Sequence, residues 1–246
     1  MDIQKEAQDR LCVAMDVPDL CAARQVGAEI RGAVGYVKIG MELFTAEGPQ
    51  TISAMHDLGF KVFLDLKFHD IPNTVAGAVR AAARHSVEIV DVHACGGRDM
   101  LRAAVDAAHA CGTDTRPLVI GVTILTSIDQ VVLNNELYVS GTVLDAVARL
   151  SMLSHEVGLD GVVASGLELR MLREVLPRRS LVIVPGVRPA GMDHGDQKRI
   201  IDPLTAIVQG ADIIVVGRAV VHADDRRRVC VEIVSEIQRG MDIGRA

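Results

Sequence analysis

The 246-residue chain has no tryptophan, two tyrosines and four phenylalanines. Its core must therefore be built from Val, Ile, Leu and Ala, a mixture of strand and helix formers that points to an α/β protein. The platforms on which single-stranded bases stack are missing as well. Basic residues are not in excess: 26 Lys and Arg stand against 32 Asp and Glu, a net charge of −6. That balance leaves no basic footprint for a nucleic-acid polymer, so phosphate recognition must come from a few placed groups. The five cysteines (Cys12, Cys21, Cys95, Cys111 and Cys230) include no CxxC pair. This excludes a zinc site by ligand spacing and a disulfide framework, and fits small core residues in a reducing compartment. No apolar run approaches the roughly 18 residues of a membrane span. The first ten residues, MDIQKEAQDR, lack the apolar stretch of a signal peptide. The expected location is cytoplasmic.

What the chain does have is a recurring pattern. Short apolar runs occur at Leu11–Met15, Tyr36–Ile39, Lys61–Leu66, Glu88–Val92, Leu118–Thr123, Gly161–Ala164, Leu181–Val184 and Ile213–Val216. Most are continuously apolar, as strands covered on both faces are. Helical spacing fills the intervals, as in Leu20, Ala23, Gly27 and Ile30, in Val75–Ala83 and Leu101–Ala110, and in Cys230, Ile233, Val234 and Ile237. Eight repeats of roughly 31 residues match the size of a βα unit. A single (β/α)8 barrel domain over residues 1–246 is the expected architecture. A doubly wound open sheet is the alternative, although neither GxGxxG after the first strand nor GxxxxGK[ST] is present.

Barrel sites lie at the C-terminal strand ends, so charges there matter most. Strand 1 ends in Asp16, strand 2 contains Lys38, strand 3 runs into Asp65-Leu66-Lys67, and strand 4 ends near His93. Residues two apart on a strand share a face, which puts Asp65 with Lys67. Asp70 follows in the turn. Lys38, set between Val37 and Ile39, needs a carboxylate partner to stay charged. These groups suit either a reactive Asp/Lys network or structural ion pairs on a barrel rim. Asp70 also suits a helix N-cap ahead of Pro72. His93 reads as a rim histidine, and residues 224–228 as the solvated start of the last helix.

A second constellation concerns phosphate. The segment PGVRPAGMDHGDQKR (185–199) is long and glycine-containing, as a mobile lid would be, and carries Arg188 and Gln197. Gly217-Arg218 follows strand 8. Barrels often grip phosphate with the loops after strands 7 and 8.

LDLKFHDIPNTV (64–75) resembles the signature of the orotidine 5′-phosphate decarboxylase family, and VAMD (13–16), YVKIG (36–40), TILTS (123–127), PGVRPAG with GDQ (185–197) and VVGR (215–218) fall in that family's order. The match spans almost the whole chain and is of the bacterial type. The resemblance implies a barrel that removes CO₂ from C6 of orotidine 5′-phosphate, completing UMP synthesis with neither metal nor organic cofactor. It implies Lys67 as proton donor, Asp65 beside the departing carboxylate, and Lys38 tying the network together and reaching the ribose. Asp16 would take a ribose hydroxyl, and Thr126 would lie near the pyrimidine. Gln197, Gly217 and Arg218 would hold the phosphate, with Arg188 close by. Asp70 and Thr74 would enter the partner's site in a homodimer. Related sugar-phosphate decarboxylases share the Asp-x-Lys-x-x-Asp triplet but carry an acidic, magnesium-binding residue where Lys38 stands. Met15, where the family more often has Leu, and VVHADD (220–225), where a Pro is common, depart from the pattern without touching a matched functional position.

Overall fold

The structure is a computed structural model that describes residues 3–113, 115–189 and 201–245. All eight expected strands form: β1 Leu11–Ala14, β2 Tyr36–Gly40, β3 Lys61–Phe68, β4 Ile89–His93, β5 Leu118–Val122, β6 Gly161–Val163, β7 Leu181–Pro185 and β8 Ile213–Val216. Each pairs in parallel with the next. β8 returns to β1 through Leu11↔Ile214 and Val13↔Val216, closing a (β/α)8 barrel and excluding the open sheet. The largest boundary difference is at β3, which continues to Phe68 instead of ending at Leu66.

Side-chain alternation divides the strands between two apolar regions. Cys12, Phe63, Ile89, Ile120, Ile183 and Val215 fill the barrel interior. Val13, Val37, Leu64, Val90 and Ile214 face the surrounding helices. Small branched side chains suit an eight-stranded interior, which is only wide enough for side chains to fill. The same period of two sends Lys38, Asp65 and Asp91 inward, in phase with Tyr36, Phe63 and Ile89.

The crossovers follow local signals. Helix Leu20–Ile30 starts at Asp19, whose carboxylate accepts from Ala22 N at 2.8 Å, and it buries Ala23, Val26, Gly27 and Ile30. Helix Val143–Val157 opens with a Thr142/Asp145 capping box. Between β2 and β3 the helical path breaks into Met41–Glu47 and Gln50–Asp57, because Gly48 takes φ 68° and Pro49 follows. The last helix, Arg226–Arg245, is tied down more than its charge run suggests: Arg226 pairs with Glu29 at 2.8 Å and Arg227 donates to Arg31 O at 2.7 Å. Those two arginines clamp the final helix onto its neighbour while residues 224, 225, 227 and 228 stay exposed, in line with the solvated start expected there. Among the described residues, no helix is long and apolar enough to cross a membrane.

Candidate active site

The inward charges converge at the C-terminal mouth of the barrel. Asp65 is the hub, at 8% exposure. Its Oδ2 lies 3.0 Å from Lys38 Nζ, and its Oδ1 accepts from Lys67 Nζ. Lys38 Nζ also lies 3.4 Å from Asp16 Oδ1. The result is an alternating chain, Asp16–Lys38–Asp65–Lys67, drawn from three consecutive strands. Gly40 makes room for it: a Cβ there would stand 3.0 Å from Lys38 Nζ and 3.5 Å from Asp16 Oδ1. Sequence reasoning did not single out Gly40, although its spacing of two from Lys38 was visible.

Asp65 and Lys67 meet as expected, but not by straight alternation. Lys67 has φ 50°, a left-handed conformation, and the β3–β4 register shifts between Leu64 and Phe68. A non-glycine residue there costs about 1–2 kcal/mol. The compensating contact comes from Asp91 on β4, whose Oδ1 accepts the Lys67 backbone N–H at 2.7 Å. Asp91 is a site residue that sequence reasoning missed. It lies inside an apolar strand that drew notice only for its end, His93, yet it sits two residues before His93 on the same face.

The electrostatics of the cluster follow from burial and charge together. Burial opposes ionisation of Asp65, but Lys38, a hydrogen bond from Asp91 and Lys67 outweigh it and hold this carboxyl well below the usual range. Asp91 goes the other way: burial and then the neighbouring Asp65 charge push it well above the usual range. Burial disfavours the Lys38 cation, yet Asp65 and Asp16 more than restore it and raise Lys38 above an ordinary lysine. Burial, with help from His69 and Lys67, lowers His93. Its ring lies 5.4 Å from that of His69.

A linkage prediction follows. Above the unfolded carboxylate pKa of about 3.9 the unfolded chain ionises both Asp65 and Asp91, whereas the folded pair keeps one proton. The folded state then binds more protons than the unfolded state. This pair's contribution to stability therefore falls as pH rises from about 4 towards the folded pKa of Asp91. An Asp91→Asn protein lacks that loss. It should be more stable than the parent at pH 7, with the advantage shrinking as pH falls to about 4, as read by urea unfolding across that range. A constant difference at every pH would refute it.

Two chambers open beside the cluster. The deeper, of about 220 Å³, is lined by Lys38, Asp65, Lys67 and Asp91 together with Phe63, Leu125, Thr126, Ser127 and Ile183. Its neighbour, of about 420 Å³, is bordered by Asp16, Lys38, Arg188, Gly217, Arg218 and His222. Lys38, Pro185 and Val215 line both. The structure thus brings Asp16, Lys38, Asp65, Lys67, Thr126, Arg188, Gly217 and Arg218 to one mouth, and it adds Asp91 and Ser127. Arg188 follows the Gly186 turn (φ 74°), and its N–H donates to Ile201 O at 3.1 Å. Arg218 opens the short helix Arg218–Val221. Gln197 lies outside the described residues.

Asp70 and Thr74 stay apart from this mouth. Both are exposed, and the Asp70 carboxylate accepts from Ile71 N at 2.6 Å. The N-cap of helix Pro72–Ala83 is Ile71, with no side-chain cap. Asp70 is therefore not the cap that the Pro72 spacing suggested, because its carboxylate turns back on its own neighbour.

Fold and site together define a class: a (β/α)8 barrel with a charged double chamber at its C-terminal mouth. The chain belongs to the orotidine 5′-phosphate decarboxylase / HUMPS family, whose sequence profile matches residues 9–233. It is 44% identical over 239 residues to the orotidine 5′-phosphate decarboxylase of Moorella thermoacetica, covering 96% of this chain and 95% of that one. It is 46% identical over 228 residues to the Halorhodospira halophila enzyme of the same name, covering 93% and 95%. In three dimensions it resembles the crystal structure of orotidine 5′-phosphate decarboxylase from Lactobacillus acidophilus, with a TM-score of 0.84 and 33% identity over 93% of this chain and 99% of that one.

Proposed function

We propose that this chain decarboxylates orotidine 5′-phosphate to UMP, the closing step of pyrimidine nucleotide synthesis, without metal or organic cofactor. The observation that carries the reading is the Lys67 ammonium held against Asp65 in the deeper chamber, with Lys38 on the other side of the same carboxylate. The C6–carboxyl bond breaks, and its electron pair stays on C6 in the plane of the ring, where the π system delocalises it poorly. Lys67 supplies fixed positive charge beside that carbon and then transfers an Nζ proton to it, and the resulting amine regains a proton from solvent. Asp65 orients Lys67 and lies against the departing carboxylate, so its repulsion of the substrate eases as CO₂ leaves.

The remaining roles follow the chambers. The wider one takes ribose and phosphate: Asp16 accepts from a ribose hydroxyl, Lys38 reaches the ribose, and Arg188, Gly217 and Arg218 face the phosphate; the family resemblance adds Gln197 to the phosphate contacts. Thr126 borders the pyrimidine. Asp70 and Thr74 reach a second subunit's site in a homodimer, a reading supported by their exposure and by Ile71 between them, an apolar side chain 68% exposed. The compartment is the cytoplasm.

The rival reading is a magnesium-dependent sugar-phosphate decarboxylase of the same family. Lys38 argues against it, because its Nζ, 3.4 Å from Asp16 and 3.0 Å from Asp65, fills the position a divalent ion would need between them. Incubating the purified chain with orotidine 5′-phosphate and EDTA separates the two. UMP formation undiminished by the chelator is expected. No product, or product only with added Mg²⁺, would sink the proposal.

A further inference from the structure

Asp91 is 1% exposed and points into the barrel. Its Oδ1 takes the Lys67 N–H, while its Oδ2 is buried with no N–H or hydroxyl donor in reach. What faces that carboxyl from β3 is Asp65, with Lys67 beside it and Lys38 beyond. From β5 the inward side chains are the apolar Ile120 and Val122, and His93 is its only titratable neighbour on β4. Two ionised carboxylates cannot share such a place, and a lone buried oxygen without a donor is costly. A single proton between them resolves both problems.

We propose that Asp91 is a positioning residue that works as a neutral carboxylic acid, accepting the Lys67 backbone N–H with one oxygen and donating from the other to Asp65. The two bonds hold the left-handed turn at Lys67 and fix the Asp65 carboxylate that Lys67 Nζ contacts. They also set the charge of the buried cluster. With Asp91 neutral, the chain Asp16–Lys38–Asp65–Lys67 balances two ammoniums against two carboxylates; with Asp91 ionised the cluster would be negative. A cluster free of that extra negative charge suits a substrate that brings its own carboxylate. The role assigned to Asp91 rests on the decarboxylase reading, whereas its protonation does not.

Asparagine reproduces a neutral carboxylic acid, since its amide N–H₂ donates and its oxygen accepts; alanine does neither. The test measures UMP formation and thermal unfolding for Asp91→Asn and Asp91→Ala, and the infrared difference spectrum between the parent and Asp91→Asn at pH 7. The expected results are a protonated-carboxyl stretch present in the parent and lost in Asp91→Asn, a kcat at least 100-fold down in Asp91→Ala, and recovery to within about tenfold of the parent in Asp91→Asn. The spectrum needs only the two proteins that keep both hydrogen bonds, so an unfolded alanine variant does not weaken it. Absence of the protonated band, or asparagine failing as badly as alanine, overturns the proposal. A parent that makes no UMP but shows the band would refute the decarboxylase reading and leave the protonated Asp91 standing.

Discussion

Replacing Lys67 with alanine should lower kcat by about 10⁴- to 10⁷-fold while leaving the protein folded. The magnitude comes from two roles on one side chain. A positioned general acid contributes typically 10²–10⁴, and a preorganised charge at the developing anion roughly 10²–10³. The fold should survive for reasons visible around the residue. Asp65 keeps Lys38 at 3.0 Å, so no buried carboxylate is stranded. Asp91 holds the backbone N–H of residue 67, which alanine retains. The left-handed φ costs alanine about what it costs lysine. Single-turnover kinetics with a thermal melt on the same sample would check both halves. A rate within tenfold of the parent in a folded variant would remove Lys67 from the chemistry.

That residue also shows how far the sequence could be read. Strand identity was legible because continuous apolar runs mark strands buried on both faces, and the closed ring followed from eight of them spaced at one βα unit. The Asp65/Lys67 pairing was expected from alternation, although straight alternation is not what brings the two together. The backbone turn that delivers Lys67 was not, since nothing in Leu-Lys-Phe announces a positive φ; the turn is stabilised by a carboxylate 24 residues away. Asp91 escaped for the same reason, because its importance depends on which neighbour it faces across the strand pair. Asp70 illustrates the opposite error. A carboxylate two residues before Pro72 looked like a cap, yet its hydrogen bond closes on Ile71 instead.

Arg218→Ala is the second large effect expected. Truncating one partner of a charged contact costs about 2–5 kcal/mol, so kcat/KM for orotidine 5′-phosphate should fall roughly 30- to 4,000-fold. The loss should exceed what simple affinity explains, because contacts at the phosphate end align and desolvate C6 at the other end. A truncated substrate isolates that role. On orotidine, which has no phosphate, parent and variant should converge, since the missing guanidinium then has nothing to grip. Equal losses on both substrates would move Arg218 from phosphate recognition to general structure, and an unchanged kcat/KM would remove it from the site.

The seam at which β8 meets β1 runs through the middle of this machinery. Asp16 follows β1, Gly217 and Arg218 follow β8, and a Cβ on Gly217 would stand 3.4 Å from Asp16 Oδ2. On the proposed reading, the lysines with their carboxylates and the phosphate-facing arginine lie far apart in the chain, and closure of β8 onto β1 is what brings them to adjoining chambers.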